Sequence, residues 1–119
     1  MRLKCFEDLK GETLVSVKEH EDSLLFTLAT GETYMLSHEQ DCCESVTIDD
    51  IAGDLDDLVG VVVRAEENSS QACPKSEDDE SFTWTFYRIQ TARGLVVVRW
   101  YGTSNGYYSE SVKWSEVRN

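Results

Sequence analysis

The sequence has 119 residues, of which 40% are hydrophobic and 29% are charged, and its formal net charge is −12. This length and composition fit one globular domain spanning residues 1–119 and exclude a chain that is disordered throughout. The negative charge disfavours direct binding to a nucleic-acid backbone, because contacts to phosphates need a cationic surface.

The first third of the chain predicts a β-meander. Apolar and polar residues alternate over Thr13–Val17 and again over Leu24–Leu28, which is the period of a half-buried strand. His20–Ser23 separates these two segments as a turn, and Thr30-Gly31 forms a tight turn before a third strand at Thr33–Leu36.

The middle of the chain is less regular. Ser45–Ile48 predicts a short strand, and Asp49–Leu58 predicts one or two helical turns, because its acids suit a helix N-terminus. Val61–Ala65 predicts the next strand. Residues 67–80 are polar, contain the only proline and end in four consecutive acids, so they predict a mobile acidic loop.

The last third gives the strongest strand pattern. Phe82–Gln90 alternates, Ala92–Gly94 is a turn, and Leu95–Tyr101 predicts the returning strand of a hairpin. A final strand is predicted over residues 107–114. We therefore expect a mainly β fold, α+β at the margin, in which antiparallel meanders and hairpins form a sandwich or open barrel with short helical turns near residues 49–58.

Cysteine usage and the apolar runs favour a cytoplasmic protein. The four cysteines are expected to be reduced thiols, since a chain of this length can fold without disulfides. The longest apolar run lies near Leu95–Val98 and is too short to span a bilayer. No signal-peptide segment follows Met1, so we expect a cytoplasmic location and no membrane partner.

A first cluster of chemically active side chains occupies His38–Glu44. It offers a weak metal site through His38, Cys42 and Cys43, with a fourth ligand to come from Cys5 or Cys73. A cysteine–histidine pair assisted by Glu44 would instead make a small thiol-dependent enzyme. The simpler interpretation is that the cysteines pack in the core and that the polar residues satisfy a turn. A ligand contact by His38 or Gln40 is a further alternative. We therefore expect no cofactor, no resident metal and no catalytic residue.

A second cluster, residues 99–110, combines aromatic rings, a guanidinium, hydroxyls and an amide around two glycines. Aromatic rings stack on bases or anchor protein contacts, and arginine pairs with phosphate or carboxylate. Residues 83–119 carry five bases and two acids, which suits a small nucleotide ligand. The alternative is an ordinary hairpin with core aromatics. The ligand-binding candidates here are Arg99, Trp100, Tyr101, Asn105, Tyr107 and Tyr108.

The third feature is the acidic segment 39–80, which holds fourteen acids and two bases and so accounts for the whole net charge. Such a run is often only a solvated surface. Regularly spaced carboxylates can also imitate phosphates and occupy a basic channel of a partner protein. The candidates for this acidic face are Asp49, Asp50, Asp54, Asp56 and Asp57.

Four segments carry a resemblance to a known family. They are residues 38–46 (HEQDCCESV), 51–60, 83–87 and 99–110 (RWYGTSNGYYSE). Through them the chain resembles an uncharacterised family of small proteins common in bacteriophage genomes and prophages. That family has no assigned activity, so the resemblance implies a phage origin rather than a chemistry.

The phage resemblance and the acidity together suggest a function class. Small acidic phage proteins often inhibit host defence, either by blocking a nuclease complex or by sequestering a signalling nucleotide. We therefore expect a non-enzymatic, anti-CRISPR-like inhibitor in the host cytoplasm, which binds a basic host protein or a small nucleotide. A structural module that oligomerises through exposed aromatics such as Trp100 is a further alternative.

Overall fold

A computed structural model describes residues 1–39, 44–104 and 110–117. In this part of the chain, 3₁₀ helices occupy Phe6–Leu9 and Leu55–Leu58, and no helix is long and apolar enough to cross a membrane. The strands are β1 Thr13–His20, β2 Ser23–Leu28, β3 Thr33–Ser37, β4 Glu44–Ala52, β5 Gly60–Val61, β6 Arg64–Ser70, β7 Ser81–Thr91, β8 Gly94–Ser104 and β9 Lys113–Val117.

The strands form two sheets. The first has the order β5-β1-β2-β3-β9 and the second the order β4-β8-β7-β6, and the paired strands within each sheet are antiparallel. One hydrophobic core is built from both sheets, as in a β-sandwich. The predicted mainly β fold, with meander, hairpin and a short helical turn near residues 49–58, is therefore confirmed.

The core lies between the inward-facing side chains of the two sheets. Leu24, Phe26 and Leu28 point inward from β2, as their alternation predicts, and are at most 1% exposed. The 3₁₀ helix at Phe6–Leu9 closes one edge of the core, and the Phe6 ring lies edge-on to Tyr87 at 4.7 Å between centroids. Burial of a side chain of this size stabilises the fold by about 2–3 kcal/mol.

The predicted helical segment at Asp49–Leu58 is correct only in its last turn. Asp49–Ala52 are strand rather than helix, because β4 continues to pair with β8 as far as Ala52 and Val97. Only Leu55–Leu58 form the helical turn, capped by the Asp54 side chain, which accepts a hydrogen bond from the Asp56 backbone N–H at 2.9 Å.

The predicted strand at Val61–Ala65 is divided between the two sheets. β5 pairs with β1, whereas β6 begins at Arg64 and pairs with β7. β6 continues to Ser70, so residues 67–70 of the predicted loop are strand. Pairing with the long strand β7 outweighs the low strand propensity of Glu67, Asn68 and the two serines. The last strand is found at Lys113–Val117, further along than predicted.

Candidate functional site

The face of the second sheet that points away from the core, here called the outer face, carries an aromatic and cationic cluster. Alternation along β7 buries Thr85 and Tyr87 and turns Trp84 outward. Trp84 lies opposite Tyr101 of β8, and their ring centroids are 4.3 Å apart. The Arg99 guanidinium lies 5.3 Å from the Trp84 centroid. The sequence-predicted candidates Arg99 and Tyr101 therefore share this face.

Asp49 joins this cluster through a β-bulge in β4. Ile48 pairs with Trp100 and Asp50 pairs with Arg99, so Asp49 is the extra residue that the bulge turns towards the cluster. Its carboxylate accepts hydrogen bonds from the Arg99 Nη2 at 2.6 Å and Nε at 2.8 Å, and it also pairs with the Lys75 ammonium. The bond from Lys75 and then that from Arg99, opposed by burial, hold the pKa of Asp49 below its usual range.

Residues 71–80 lie against the outer face through polar contacts to its rings. The Trp84 indole N–H donates to the carbonyl of Cys73 at 3.1 Å. The Tyr101 hydroxyl accepts from the Lys75 backbone N–H at 3.0 Å and donates to Asp79 at 2.5 Å. Burial and then the bond to Asp79 raise the pKa of Tyr101 above its ordinary value. The acidic connection is therefore attached to the aromatic cluster rather than extended into solvent.

The other acids predicted for the acidic face take different positions. Asp50, Asp54 and Asp56 are exposed, and Asp57 is half-buried. Asp54 and Asp56 line a shallow groove of 650 Å³ beside β1. The exposed part of the predicted acidic face therefore consists of Asp50, Asp54 and Asp56, whereas Asp49 is neutralised on the outer face.

His38 forms a buried bridge between three segments. Its Nδ1 lies 2.8 Å from the carbonyl oxygen of Ser111, and its Nε2 lies 3.0 Å from Oε1 of Glu44. A carbonyl oxygen only accepts, so Nδ1 is the donor in the contact to Ser111. The His38 and Glu44 side chains are 8% and 2% exposed.

The described residues do not supply a ligand set for the metal hypothesis at residues 38–44. Among residues 1–39, 44–104 and 110–117, no three histidine, cysteine, aspartate or glutamate side chains gather as a metal site would require. Cys5 and Cys73 are exposed free thiols. Gln40, Cys42 and Cys43 lie outside the described residues.

None of the remaining ligand candidates is among the described residues of the outer face. Trp100 points into the core and is 0% exposed, and within the described part of the chain its indole N–H has no hydrogen-bond partner. Asn105, Tyr107 and Tyr108 lie outside the described residues. Among the described residues, Trp84 and Tyr101 form the centre of the aromatic surface, and Phe82 stacks on Tyr101. In the sequence Trp84 was recognised as a strand residue and as part of the segment 83–87, but not as a ligand candidate.

A second site, which the sequence interpretation missed, opens on the core side of the second sheet. It is a cavity of 370 Å³ between β6, β7 and residues 110–112. Ser81, Thr83 and Thr85 occupy every second position of β7 and present their hydroxyls to it. This serine and threonine alternation was visible in the sequence, but the aromatic residues between them defined the strand and drew the functional interpretation.

Glu110 places a carboxylate in this cavity and is held there by hydrogen bonds. Its Oε1 accepts from the Thr83 hydroxyl at 2.8 Å and its Oε2 from the Ser104 hydroxyl at 2.5 Å. Burial opposes ionisation, but the hydrogen bonds from Ser104, Ser81 and Thr83 lower the pKa of Glu110 overall. The backbone here passes very close to Gly102, where an added Cβ would lie 2.8 Å from the Glu110 carbonyl oxygen.

Comparison with known proteins gives one match. The model of a family described as a domain of unknown function, DUF7448, matches residues 7–114. No curated protein and no solved structure matches the chain. The matched span contains β1 to β8 completely, together with the outer face and the cavity.

Proposed function

The chain belongs to the family of domains of unknown function DUF7448, and for this member we propose a non-enzymatic binding function in which exposed carboxylates dock onto a basic partner. The observation that carries this proposal is the pairing of Lys75 and Arg99 with Asp49. The two cations beside the Trp84–Tyr101 rings are already bound by a carboxylate of the same chain.

Further cations are paired in the same way. Arg2 contacts Glu12 and Glu32, each at 2.7 Å, and Arg64 contacts Glu66 at 2.6 Å. Asp50, Asp54 and Asp56, in contrast, are exposed and form no ion pair with any described residue. A surface of this kind attracts a basic partner and repels nucleic acid and other anions.

The biological setting is also part of this proposal. The resemblance of residues 38–46 and 99–110 to small phage proteins favours a counter-defence role in the host cytoplasm. In that role the exposed carboxylates would occupy the basic channel of a host nucleic-acid-binding complex, as an anti-CRISPR-like inhibitor does. Acidic side chains compete with phosphates for the same arginines and lysines, so binding would exclude the nucleic acid.

A second candidate function rests on the outer face. Trp84 and Tyr101 form an aromatic platform beside Arg99, and such platforms stack on bases. Sequestration of a small nucleotide there requires Asp49 to release its two cations. Breaking these ion pairs costs free energy. Docking through Asp50 and Asp56 breaks no ion pair of the described residues and so does not have this cost.

Capture from host lysate separates these functions. The tagged protein is incubated with lysate, washed, and denatured, and both released proteins and released small molecules are identified by mass spectrometry. We expect a co-purifying protein with a basic nucleic-acid-binding surface and no stoichiometric nucleotide. A nucleotide released at one per chain, without a protein partner, contradicts the docking function and supports sequestration.

A further inference from the structure

We propose that the cavity between β6, β7 and residues 110–112 binds the charged end of an organic cation, an alkylguanidinium or alkylammonium group. This inference goes beyond the proposed function, which concerns the exposed acids near the second 3₁₀ helix, and it does not depend on that function. It follows from the charge, the hydroxyl groups and the shape of the cavity.

The charge of the cavity is negative. Glu67 and Glu110 line it, and none of the described residues that line it is cationic. The hydrogen bonds that lower the pKa of Glu110 keep its carboxylate ionised at neutral pH. The cavity therefore attracts cations, and a nucleotide phosphate would be repelled from it.

Glu67 adds a second charge through Tyr87. Burial, together with a hydrogen bond to Glu67, raises the pKa of Tyr87, so the phenol stays protonated and donates to the carboxylate. Glu67 itself is exposed, at the open side of the cavity. Glu67 is thus the more exposed of the two carboxylates and Glu110 the more buried.

The hydroxyl groups are arranged as acceptors for a ligand. Ser81 and Thr83 donate their protons to Glu110, and each hydroxyl oxygen keeps lone pairs that can accept from another group. Guanidinium and ammonium groups carry several N–H donors and no acceptor, so they complement such a lining.

Thr85 adds a third hydroxyl to the β7 wall. It lines the cavity, and the residue is only 6% exposed. Its hydroxyl oxygen is a further acceptor that a bound N–H donor can reach.

The size and the apolar edge of the cavity fit an aliphatic stem. Its volume of 370 Å³ lies within the range of about 300–1,000 Å³ that small-molecule sites occupy. Val112 and the Tyr87 ring provide apolar contacts beside the polar lining. The methylene groups of arginine, or of a polyamine, can pack there while the charged end reaches Glu110.

A titration followed by the amide signals of the ¹⁵N-labelled protein tests this site. The probes are arginine amide, spermidine as the polyamine, citrulline amide as the uncharged isostere of arginine, and AMP as an anion. We expect saturable shifts of the amide signals of Ser69, Thr83 and Thr85 with arginine amide or spermidine. The probe that binds with the higher affinity shows whether the cavity prefers a guanidinium or a polyamine. Citrulline amide should bind at least about tenfold more weakly, and AMP should leave these signals unchanged.

Paired variants locate the binding. Glu67→Gln and Thr85→Val should each weaken the preferred probe by about tenfold, and Glu66→Gln is the matched control. Glu66 neighbours Glu67 in β6, but it points to the opposite face and pairs with Arg64. A dispersed amide spectrum verifies that each variant is folded. Equal binding of citrulline amide and arginine amide, no saturable binding of either cation, or an equal loss in Glu66→Gln would overturn the proposal.

Discussion

Asp49 and Arg99 make a two-point contact across β4 and β8, with Nη2 and Nε of Arg99 at 2.6 and 2.8 Å from Oδ2 of Asp49. In sequence these residues belong to segments of opposite charge, the acidic centre at 39–80 and the mildly basic C-terminal hairpin. Folding places the first against the second, since Lys75 and Asp79 of the acidic segment also contact the hairpin. The exposed negative charge therefore lies on other acids, such as Asp50, Asp54 and Asp56, which form no ion pair with any described residue.

The Asp49 ion pairs should make stability depend on pH. We expect Asp49→Asn to lower the free energy of unfolding by about 1–2 kcal/mol at pH 7, a modest value because Arg99 and Lys75 are partly exposed. The folded-state pKa of Asp49 is lowered, so its stabilisation is present above the ordinary value of about 3.9 and is lost as pH falls through the lowered value.

Urea unfolding of the wild type and Asp49→Asn at pH 7 and pH 3 measures this effect. The difference between the two proteins should shrink at the lower pH. The control is Asp50→Asn, which removes a neighbouring but exposed carboxylate and should change stability by less than about 0.5 kcal/mol. A difference for Asp49→Asn that is the same at both pH values would show that the ion pairs do not contribute.

The Tyr101 hydroxyl should hold residues 71–80 against the outer face. Tyr101→Phe removes the acceptor for the Lys75 N–H and the donor to Asp79, and it keeps the ring. We expect amide exchange at Lys75 to become about tenfold faster, which corresponds to the loss of about 1.4 kcal/mol. Exchange in β1 and β2 serves as the internal reference and should not change. An unchanged rate at Lys75 would mean that other contacts fix the connection.

The close approach of Gly102 to Glu110 should make Gly102 intolerant of a side chain. In Gly102→Ala the new Cβ would lie 2.8 Å from the Glu110 carbonyl oxygen and 3.1 Å from Cγ2 of Val46. We expect a loss of about 1–3 kcal/mol, which corresponds to several degrees in Tm by calorimetry. An unchanged Tm would contradict the close packing of residue 110 on β8.

His38 should act as a structural bridge rather than a metal ligand. Its ring joins the Ser111 carbonyl to the Glu44 carboxylate, so His38→Gln should lower the free energy of unfolding by about 1–3 kcal/mol. Elemental analysis of the purified wild type should find no stoichiometric zinc or iron. One zinc per chain in the wild type, lost in His38→Gln, would instead support the metal hypothesis for His38, Cys42 and Cys43.

The elements that were predicted correctly are those whose pattern is local. The alternation in Leu24–Leu28 and in Phe82–Gln90 identifies each segment as a strand without knowledge of its neighbours. Asp49–Ala52 and residues 67–70 were assigned wrongly because their strand state depends on distant partners in β8 and β7.

The candidate sites show the same limit of sequence-based prediction. Arg99 and Tyr101 were identified as surface candidates from their residue types. Their partner Asp49 was assigned to a different surface, because the bulge that turns it towards Arg99 has no signature in the sequence. The cavity was missed, since Glu67 and Glu110 lie far apart along the chain and only the packing of residues 110–112 on β8 brings them to one site.

The central claim is that exposed acids dock a basic partner. The most direct test compares how much of that partner is captured from lysate by the wild type and by two variants. The acidic variant combines Asp50→Lys and Asp56→Lys with Asp54→Asn, in which asparagine preserves the helix cap. The comparison variant is Arg99→Gln with Trp84→Leu on the outer face. We predict that the acidic variant loses the partner and that the comparison variant keeps it. The reverse pattern would contradict the account.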